Sequence, residues 1–489
     1  MGLGNGYFDR KAYMVTLKSL LKREDIPEDV VVSLTPRDYQ MEDINYLVPL
    51  KRCSNYSDVG TGKSLVSYIW AMDRLYSGKK VLVIMPPALI DQYLNKFSVI
   101  EGHPFTLKRM QKNKAKRDKE LVSWNTDNTW PDVLGMSYQL FCKYYKQMTA
   151  YSVLIADEAH CLSNASADTF QTVFFALARR DMDFLEMTAT PCLTELKSAY
   201  GHIRLKTPSA YHDLAHFERV HVIYNVSDDK VKTIVGYNDI DTIEGHLNKY
   251  SVRRRAEEVL PLHTPTLIDH MINLSYDHSE LYNKLMTERI LELANDEVLI
   301  AKNKSALRQM ALQLITNIEN FTDDRLTDDE PLENLKSIVE TLDGKKIVVF
   351  ANFIATVEKL AKVFKALNPA LVYGGSDATS NVRKFVEDPS CQMIIMNYRS
   401  GGAGIDGLQF VSNHVVFYEP TGSPGDITQA FGRLQRSGQT KPVIGWLFRY
   451  YLDLNSKTLS SRLLLKAGIR SEVIKKVLND TVSVLDYVT

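Results

Sequence analysis

Long apolar runs are missing from this sequence. No stretch reaches the roughly twenty residues that a membrane-spanning helix needs, and the first thirty residues lack an apolar signal core. A membrane partner is therefore not expected. Cysteine is scarce too. Cys53, Cys142, Cys161, Cys192 and Cys391 are scattered and form no C-x-x-C pair, so neither a structural zinc site nor a disulfide framework is implied. A reducing, intracellular compartment is the expectation, which for a viral protein would be the host-cell cytoplasm. Excess charge of either sign is also absent, since Lys plus Arg and Asp plus Glu number 59 each. Proteins that bind nucleic acid over their whole surface are usually basic, so only a local basic groove remains open.

What is present is an ordinary globular composition, 45% hydrophobic and 24% charged over 489 residues. That length exceeds one hydrophobic core and predicts two or three domains. Short apolar runs alternate with helix-length segments: "KVLVIMPP", "PDVLGMS", "YSVLIAD" and "MDFLEMTATP", then, after residue 340, "KKIVVFANF", "ALVYGG", "CQMIIMN" and "NHVVFYEP". Near-continuous apolar strands with helical crossovers indicate parallel sheets covered on both faces. The fold class is thus α/β, with two parallel-sheet lobes.

Each lobe carries a phosphate signature. In "YSDVGTGKSLVSYIW", Gly60, Thr61, Gly62, Lys63 and Ser64 form the core of a phosphate loop opening a helix. Glycines let backbone N–H groups turn around phosphates, Lys63 would reach the β- and γ-phosphates, and the Ser64 hydroxyl would bind Mg2+. Ser57 stands where the motif's first glycine belongs, and the preceding "KRCSN" is polar for a buried strand; a plain glycine-rich turn is the alternative. In "YSVLIADEAHCLSN", Asp157 and Glu158 follow a buried strand, where α/β sheets place catalytic groups. Asp157 suits the magnesium ion and Glu158 an attacking water; the bland alternative is an acidic turn. In "ITQAFGRLQRSGQT", Arg433 and Arg436 stand three residues apart. Helical spacing would put both guanidinium forks on one face, suited to phosphate oxygens, as arginine fingers acting from lobe two on a nucleotide in lobe one.

Together these segments resemble helicase superfamily 2 from residue 35 to about 450. "LTPRDYQ" is similar to the adenine-contacting segment, "DVGTGKS" to motif I, "DEAH" to motif II, "TATP" to motif III, "NYRSGGAGID" to motif V and "QAFGRLQRSGQ" to motif VI. Motif VI and "VRRRAEEVLPLHTPTLIDHMINLSYDHSELYNKLM" are most similar to the SWI/SNF-like branch, although Asp406 stands where that branch usually has Asn. The resemblance implies two RecA-like lobes and ATP with Mg2+ as cofactors. It implies nucleotide contacts from Arg37, Gln40, Gly60, Thr61, Gly62, Lys63, Ser64, Gly404, Asp406 and Gln429. Catalysis would rest on Lys63, Asp157, Glu158, Arg433 and Arg436, with the metal on Ser64 and Asp157. His160 and Thr188 to Thr190 would couple hydrolysis to lobe movement. DNA would meet Pro86, Pro87, Ser137, Tyr138, Gly374, Gly375 and Ser400.

The implied domain plan is an N-terminal extension (1–34), a first RecA-like lobe (35–205), a mainly helical insertion and linker (206–340), a second lobe (341–450) and a helical tail (451–489). The extension reads as an amphipathic helix capping lobe one or as a DNA-recognition helix. The seven Lys and Arg between Lys108 and Lys119, followed by Trp124 and Trp130, suit single-stranded DNA or a solvated helix face with core tryptophans. "VRRRAEE" could track phosphates or pair with acids. The expected function is a DNA-dependent ATPase, a helicase or translocase of a compact microbial or viral kind. It would unwind or remodel single-stranded, forked or branched DNA in replication, recombination or repair. A duplex translocase that does not separate strands, and a nucleotide-dependent DNA-binding adaptor with little turnover, are the two rival readings.

Overall fold

A computed structural model describes residues 14–192, 195–226, 232–288, 290–292, 298–301, 303–321, 329–398, 405–419, 421, 423–452, 458–459 and 461–462. The chain divides into two units: Met1–Pro191 with Lys197–Val259, and Cys192–Leu196 with Leu260–Thr489.

Unit 1 is built on a seven-stranded sheet. Its strands in chain order are β1 (Arg52–Asn55), β2 (Lys80–Met85), β3 (Leu107–Arg109), β4 (Val133–Ser137), β5 (Tyr151–Asp157), β6 (Asp183–Met187) and β7 (Ser251–Val252). They lie side by side as β7-β1-β6-β5-β2-β4-β3, with every pairing parallel. Helices α1 (Asp38–Leu47), α2 (Lys63–Tyr76) and α3 (Lys114–Asp127) are among its connections. β2, β4 and β6 are buried along nearly their whole length, which is why their sequences run apolar without alternation. Each fully buried Val, Leu or Ile stabilises by about 1.5–3 kcal/mol, so these strands carry the core. β1 is polar because Ser54 Oγ and the following Tyr56 hydroxyl donate to the buried Glu186 carboxylate on β6, at 2.7 and 2.5 Å.

Unit 2 has a six-stranded parallel sheet: β8 (Thr266–Asn273), β9 (Ile347–Ala351), β10 (Ala370–Val372), β11 (Met393–Asn397), β12 (His414–Phe417) and β13 (Ile444–Tyr451), ordered β8-β13-β12-β9-β11-β10. All eight strands expected from apolar runs are present, four in each unit.

One expectation is corrected and two open readings are narrowed. Residues 206–340 are shared between the units and add a strand to each sheet, β7 in unit 1 and β8 in unit 2. Only Leu267 and Ile272 of β8 are buried, which hid an edge strand that a search for continuous apolar runs passes over. Among its described residues the N-terminal extension holds a five-residue helix, Leu17–Leu21, beside Val15–Thr16. The latter pairs with Val31–Val32, which in turn pairs with Ile100–Glu101; Leu17, Leu20, Val30 and Val32 thereby join the unit 1 core. Finally, Trp124 and Trp130 are buried against one another, ring centroids 5.4 Å apart, and cannot stack on bases. The tail expected as two helices around Gly468 lies outside the described residues. No described helix is long and apolar enough to cross a membrane.

Candidate nucleotide-binding site

The phosphate loop leaves β1 and enters α2, so it sits at the carboxyl end of a parallel sheet, where such folds bind ligands. Gly60 and Gly62 both have left-handed φ, 86° and 87°. At Gly62 the positive φ favours glycine, and a Cβ would also displace Gln40 Nε2 from its place beside the loop. Gly62 caps α2, leaving the helix's first N–H groups for an anion. Lys63 Nζ donates to Ser57 O at 2.6 Å and Asp58 O at 2.9 Å. Burial pushes its pKa down, opposed by the field of Glu158 and then Asp157. The lysine therefore faces the two acids of "DEAH" through space, as a phosphate-bridging cation should.

Asp157 ends β5. Burial, then the Glu158 charge, pushes its carboxyl up to about 7, against the pull of Lys63. Glu158 follows with a left-handed φ of 50°, a strained setting for a non-glycine residue of the kind found at functional sites. Its N–H donates to Asp157 Oδ1 at 3.0 Å, and its carboxylate stands 3.3 Å from His160 Nδ1. Motif III closes the group from β6: Thr188 N donates to Asn55 O, and Thr190 N to Thr188 Oγ1.

The adenine segment packs on the same loop. Gln40 Nε2 and the Tyr39 hydroxyl both donate to Thr61 O, at 3.0 and 2.8 Å, while Gln40 Oε1 accepts from Arg37 N at 2.9 Å. Reading a base with Gln40 would require exchanging one of these bonds. The Arg37 side chain is exposed and reaches the Tyr39 hydroxyl.

In unit 2 the arginines do not lie on a helix. The helix Pro424–Phe431 stops at Gly432, and Gly438 with φ 95° shapes the turn that follows. Arg433 and Arg436 nonetheless converge, both donating through Nη1 to Ile405 O, at 3.1 and 3.3 Å. Arg436 Nη1 also stands 3.6 Å from Asp406, whose carboxylate accepts from Gly407 N and Gln409 Nε2. Arg433 and Gln429 are buried. Gly404 and Ser400 lie outside the described residues.

The DNA-contact expectations divide. Pro87, Gly374 and Gly375 are exposed, and Pro86 is half-buried. Ser137 and Tyr138 are buried; Ser137 caps a helix by accepting from Leu140 N, and the Tyr138 hydroxyl donates to Asp157 O. Both side chains are thus engaged within unit 1, Tyr138 at the acidic strand end itself. Within the basic cluster, Lys108 pairs with Glu120, Arg109 with Asp91, and buried Arg117 donates to Gln111 O and Lys112 O. Lys112, Lys114, Lys116 and Lys119 stay exposed. "VRRR" pairs with acids: Arg254 holds Asp43 at 2.8 Å and Glu42 at 2.9 Å. That partnership lies 211 residues apart in the chain, so only the run of arginines itself signalled it.

Comparison with known families agrees with this geometry. Residues 37–199 match the DEAD/DEAH box helicase family, and residues 330–438 the helicase conserved C-terminal domain. The chain belongs to helicase superfamily 2. Similar curated proteins include ATP-dependent helicase fft1 of Schizosaccharomyces pombe, 21% identical over 85% of this chain and 51% of that protein. Another is a DNA repair and recombination protein RAD54-like of Drosophila erecta, 22% identical over 85% of this chain and 60% of that protein. A third is the uncharacterized ATP-dependent helicase MG018 of Mycoplasma genitalium, at 22% over 91% and 42%. The superfamily 2 chain thus spans about half the length of the curated relatives it matches. A solved structure titled "Sulfolobus solfataricus SWI2/SNF2 ATPase core in complex with dsDNA" covers 93% of this chain and 99% of that one, at 15% identity and a TM-score of 0.40. The helicase fold is carried here by the two parallel sheets themselves.

Proposed function

We propose that this helicase chain is an ATP-driven motor on DNA. The observation that supports it most is the meeting, at one end of the unit 1 sheet, of Lys63 with Asp157 and Glu158 around a glycine loop. Lys63 and the N–H groups of residues 60–64 bind the phosphates. Ser64 and Asp157 would hold magnesium, which would offset phosphate charge. Among the described residues no three His, Cys, Asp or Glu side chains gather into a metal cage; magnesium in nucleotide sites needs none, since one carboxylate, waters and phosphate oxygens complete its shell. The raised carboxyl of Asp157 fits a group that awaits a cation. Glu158 orients and deprotonates the attacking water. Arg433 and Arg436 stabilise charge developing on the γ-phosphate, and His160 with Thr188 to Thr190 relays the state of the site.

DNA is the track, met by the exposed lysines of α3 and by Pro87, Gly374 and Gly375, and the expected task is remodelling of forked or branched DNA. The test is ATP turnover with single-stranded, duplex, forked and four-way DNA beside a strand-separation assay. Stimulated turnover with separation on forks supports the helicase. Turnover on duplex without separation selects a translocase, and DNA binding without stimulated turnover selects an adaptor.

A further inference from the structure

The last segment of unit 1 is bonded to the phosphate loop along the loop's whole approach. β7 pairs in parallel with β1, Ser251 against Ser54 and Val252 against Asn55. The ladder continues beyond both strands: Tyr56 N donates to Val252 O at 2.9 Å and Asp58 N to Arg254 O at 2.8 Å. In return Arg254 N donates to Ser57 Oγ at 3.0 Å and Ala256 N to Asp58 Oδ2 at 3.0 Å. The Arg253 guanidinium donates to Tyr56 O at 2.7 Å. The Arg254 guanidinium reaches the other way, to Asp43 and Glu42 on α1, the helix that carries Gln40.

Two facts give this contact a purpose. Ser57 and Asp58, the residues gripped, are the two whose carbonyls hold the Lys63 ammonium. And Ser57 is the position where the phosphate-loop motif ordinarily has glycine. A glycine could not accept from Arg254 N and would leave the loop with more backbone freedom to lose on binding.

We propose that residues 252–256 are a clamp that positions the phosphate loop, with Ser57 and Arg254 as its positioning residues. The clamp rests on the reading of Gly60–Ser64 as the ATP loop and deepens it. Neither residue touches the phosphates. Ser57 ties the loop's entry to the segment, and Arg254 ties the segment to α1, so loop, adenine segment and the end of unit 1 form one bonded body. Its effect falls on nucleotide binding, because a loop already in place loses less freedom when ATP arrives, and leaves the hydrolytic groups alone.

The experiment measures ATP affinity by calorimetry, and KM and kcat with duplex DNA, on the full chain. The variants are Ser57→Ala, Arg254→Ala and Arg254→Lys. Arg383→Ala, an exposed arginine paired with Glu387 in unit 2, controls for lost charge. Ser57→Ala and Arg254→Ala should each raise Kd and KM for ATP about tenfold, the size of one charge-assisted or loop-ordering bond. The kcat should stay within about twofold, the signature of lost binding and not of lost chemistry. Arg254→Lys should recover part of the affinity by reaching Asp43 with a single bond, and Arg383→Ala should match the unaltered chain. Arg254→Ala also strips the partner from buried Asp43, so Ser57→Ala, which removes one hydroxyl, decides the matter if Arg254→Ala melts early. Unchanged ATP affinity in folded Ser57→Ala would overturn the clamp, as would a fall in kcat at constant KM. An unaltered chain that binds no ATP would overturn the nucleotide reading itself, and the clamp with it.

Discussion

Unit 1 and unit 2 bury charge in opposite ways. Glu186, on β6 of unit 1, meets basic side chains: His202 Nδ1 stands 3.0 Å from its carboxylate, and Lys206 lies close by. Burial alone would push this carboxyl up, but His202 and then Lys206 outweigh it and hold the pKa below the ordinary Glu value. Burial in turn pushes Lys206 down to about 8. Glu419, at the end of β12 in unit 2, is also buried, yet its partners are neutral. Thr356 Oγ1 donates at 2.6 Å, Asn352 N at 2.8 Å and Phe353 N at 3.0 Å, with the Thr316 hydroxyl beside them. There burial wins and the carboxyl is pushed up. The candidate site residues differ too. Unit 1 sets Lys63 against Asp157 and Glu158, whereas in unit 2 both arginines donate to the Ile405 carbonyl, with the Asp406 carboxylate 3.6 Å from Arg436. A carbonyl contact costs little to exchange for a phosphate. On the function proposed above, the unit 1 groups would hold and activate the nucleotide and the two arginines would supply charge.

The strongest way to break that comparison is to remove the lent charge. Arg433→Ala and Arg436→Ala should each leave ATP binding largely intact while hydrolysis falls roughly a thousandfold or more. Lysine at either position should rescue poorly, since it lacks the planar fork. DNA affinity without nucleotide should hardly change. If instead the variants melt early and their folded fraction hydrolyses ATP at a normal rate, the arginines serve only the packing of unit 2.

Next in size is the pair of buried glutamates, read by thermal melting across pH. Glu186→Gln leaves His202 and Lys206 without their counter-charge and should destabilise by about 3 kcal/mol near neutrality. Because the folded pKa of Glu186 is lowered, its contribution is present above the ordinary Glu range and lost as pH falls through the folded value. The deficit of the variant should therefore shrink in acid. Glu419 has a raised folded pKa, so the native protein loses stability as pH climbs from the ordinary Glu range towards that value. Glu419→Gln removes the loss, and its melting temperature relative to the unaltered chain should rise with pH. Parallel pH trends in the two variants would erase the contrast.

The smallest effect should come from the surface. Replacing Lys112, Lys114, Lys116 and Lys119 by Ala should flatten the salt dependence of DNA binding by roughly one unit of log–log slope per lost phosphate contact, with basal hydrolysis and melting unchanged. An unchanged slope would make the cluster a solvated face. Arg117 is left out because it is buried and bonded to backbone carbonyls.

The sequence made the central strands legible because strands buried on both faces need unbroken apolar runs, and eight did. β1 was hidden by Ser54, whose hydroxyl serves a buried carboxylate 132 residues away; β3 and β7 are only three and two residues long. The site was legible where phosphate chemistry demands fixed local spacing, as in Gly60–Ser64 and Asp157–Glu158. What the spacing of Arg433 and Arg436 could not show is that Gly432 ends the helix before them, so that a turn brings them together. Nor could any local pattern reveal that Arg254 and Ser57, 197 residues apart, are hydrogen-bonded.

The central claim, that this chain turns over ATP at the Lys63–Asp157–Glu158 site when it engages DNA, meets its most direct test in one comparison: ATP turnover with duplex DNA by the unaltered chain and by Glu158→Gln. The account predicts DNA-stimulated turnover by the unaltered chain. The variant should bind ATP and DNA equally well but hydrolyse roughly a hundredfold or more slower, having lost its positioned base. Equal turnover by the two proteins, or ATP binding without turnover by both, would contradict it.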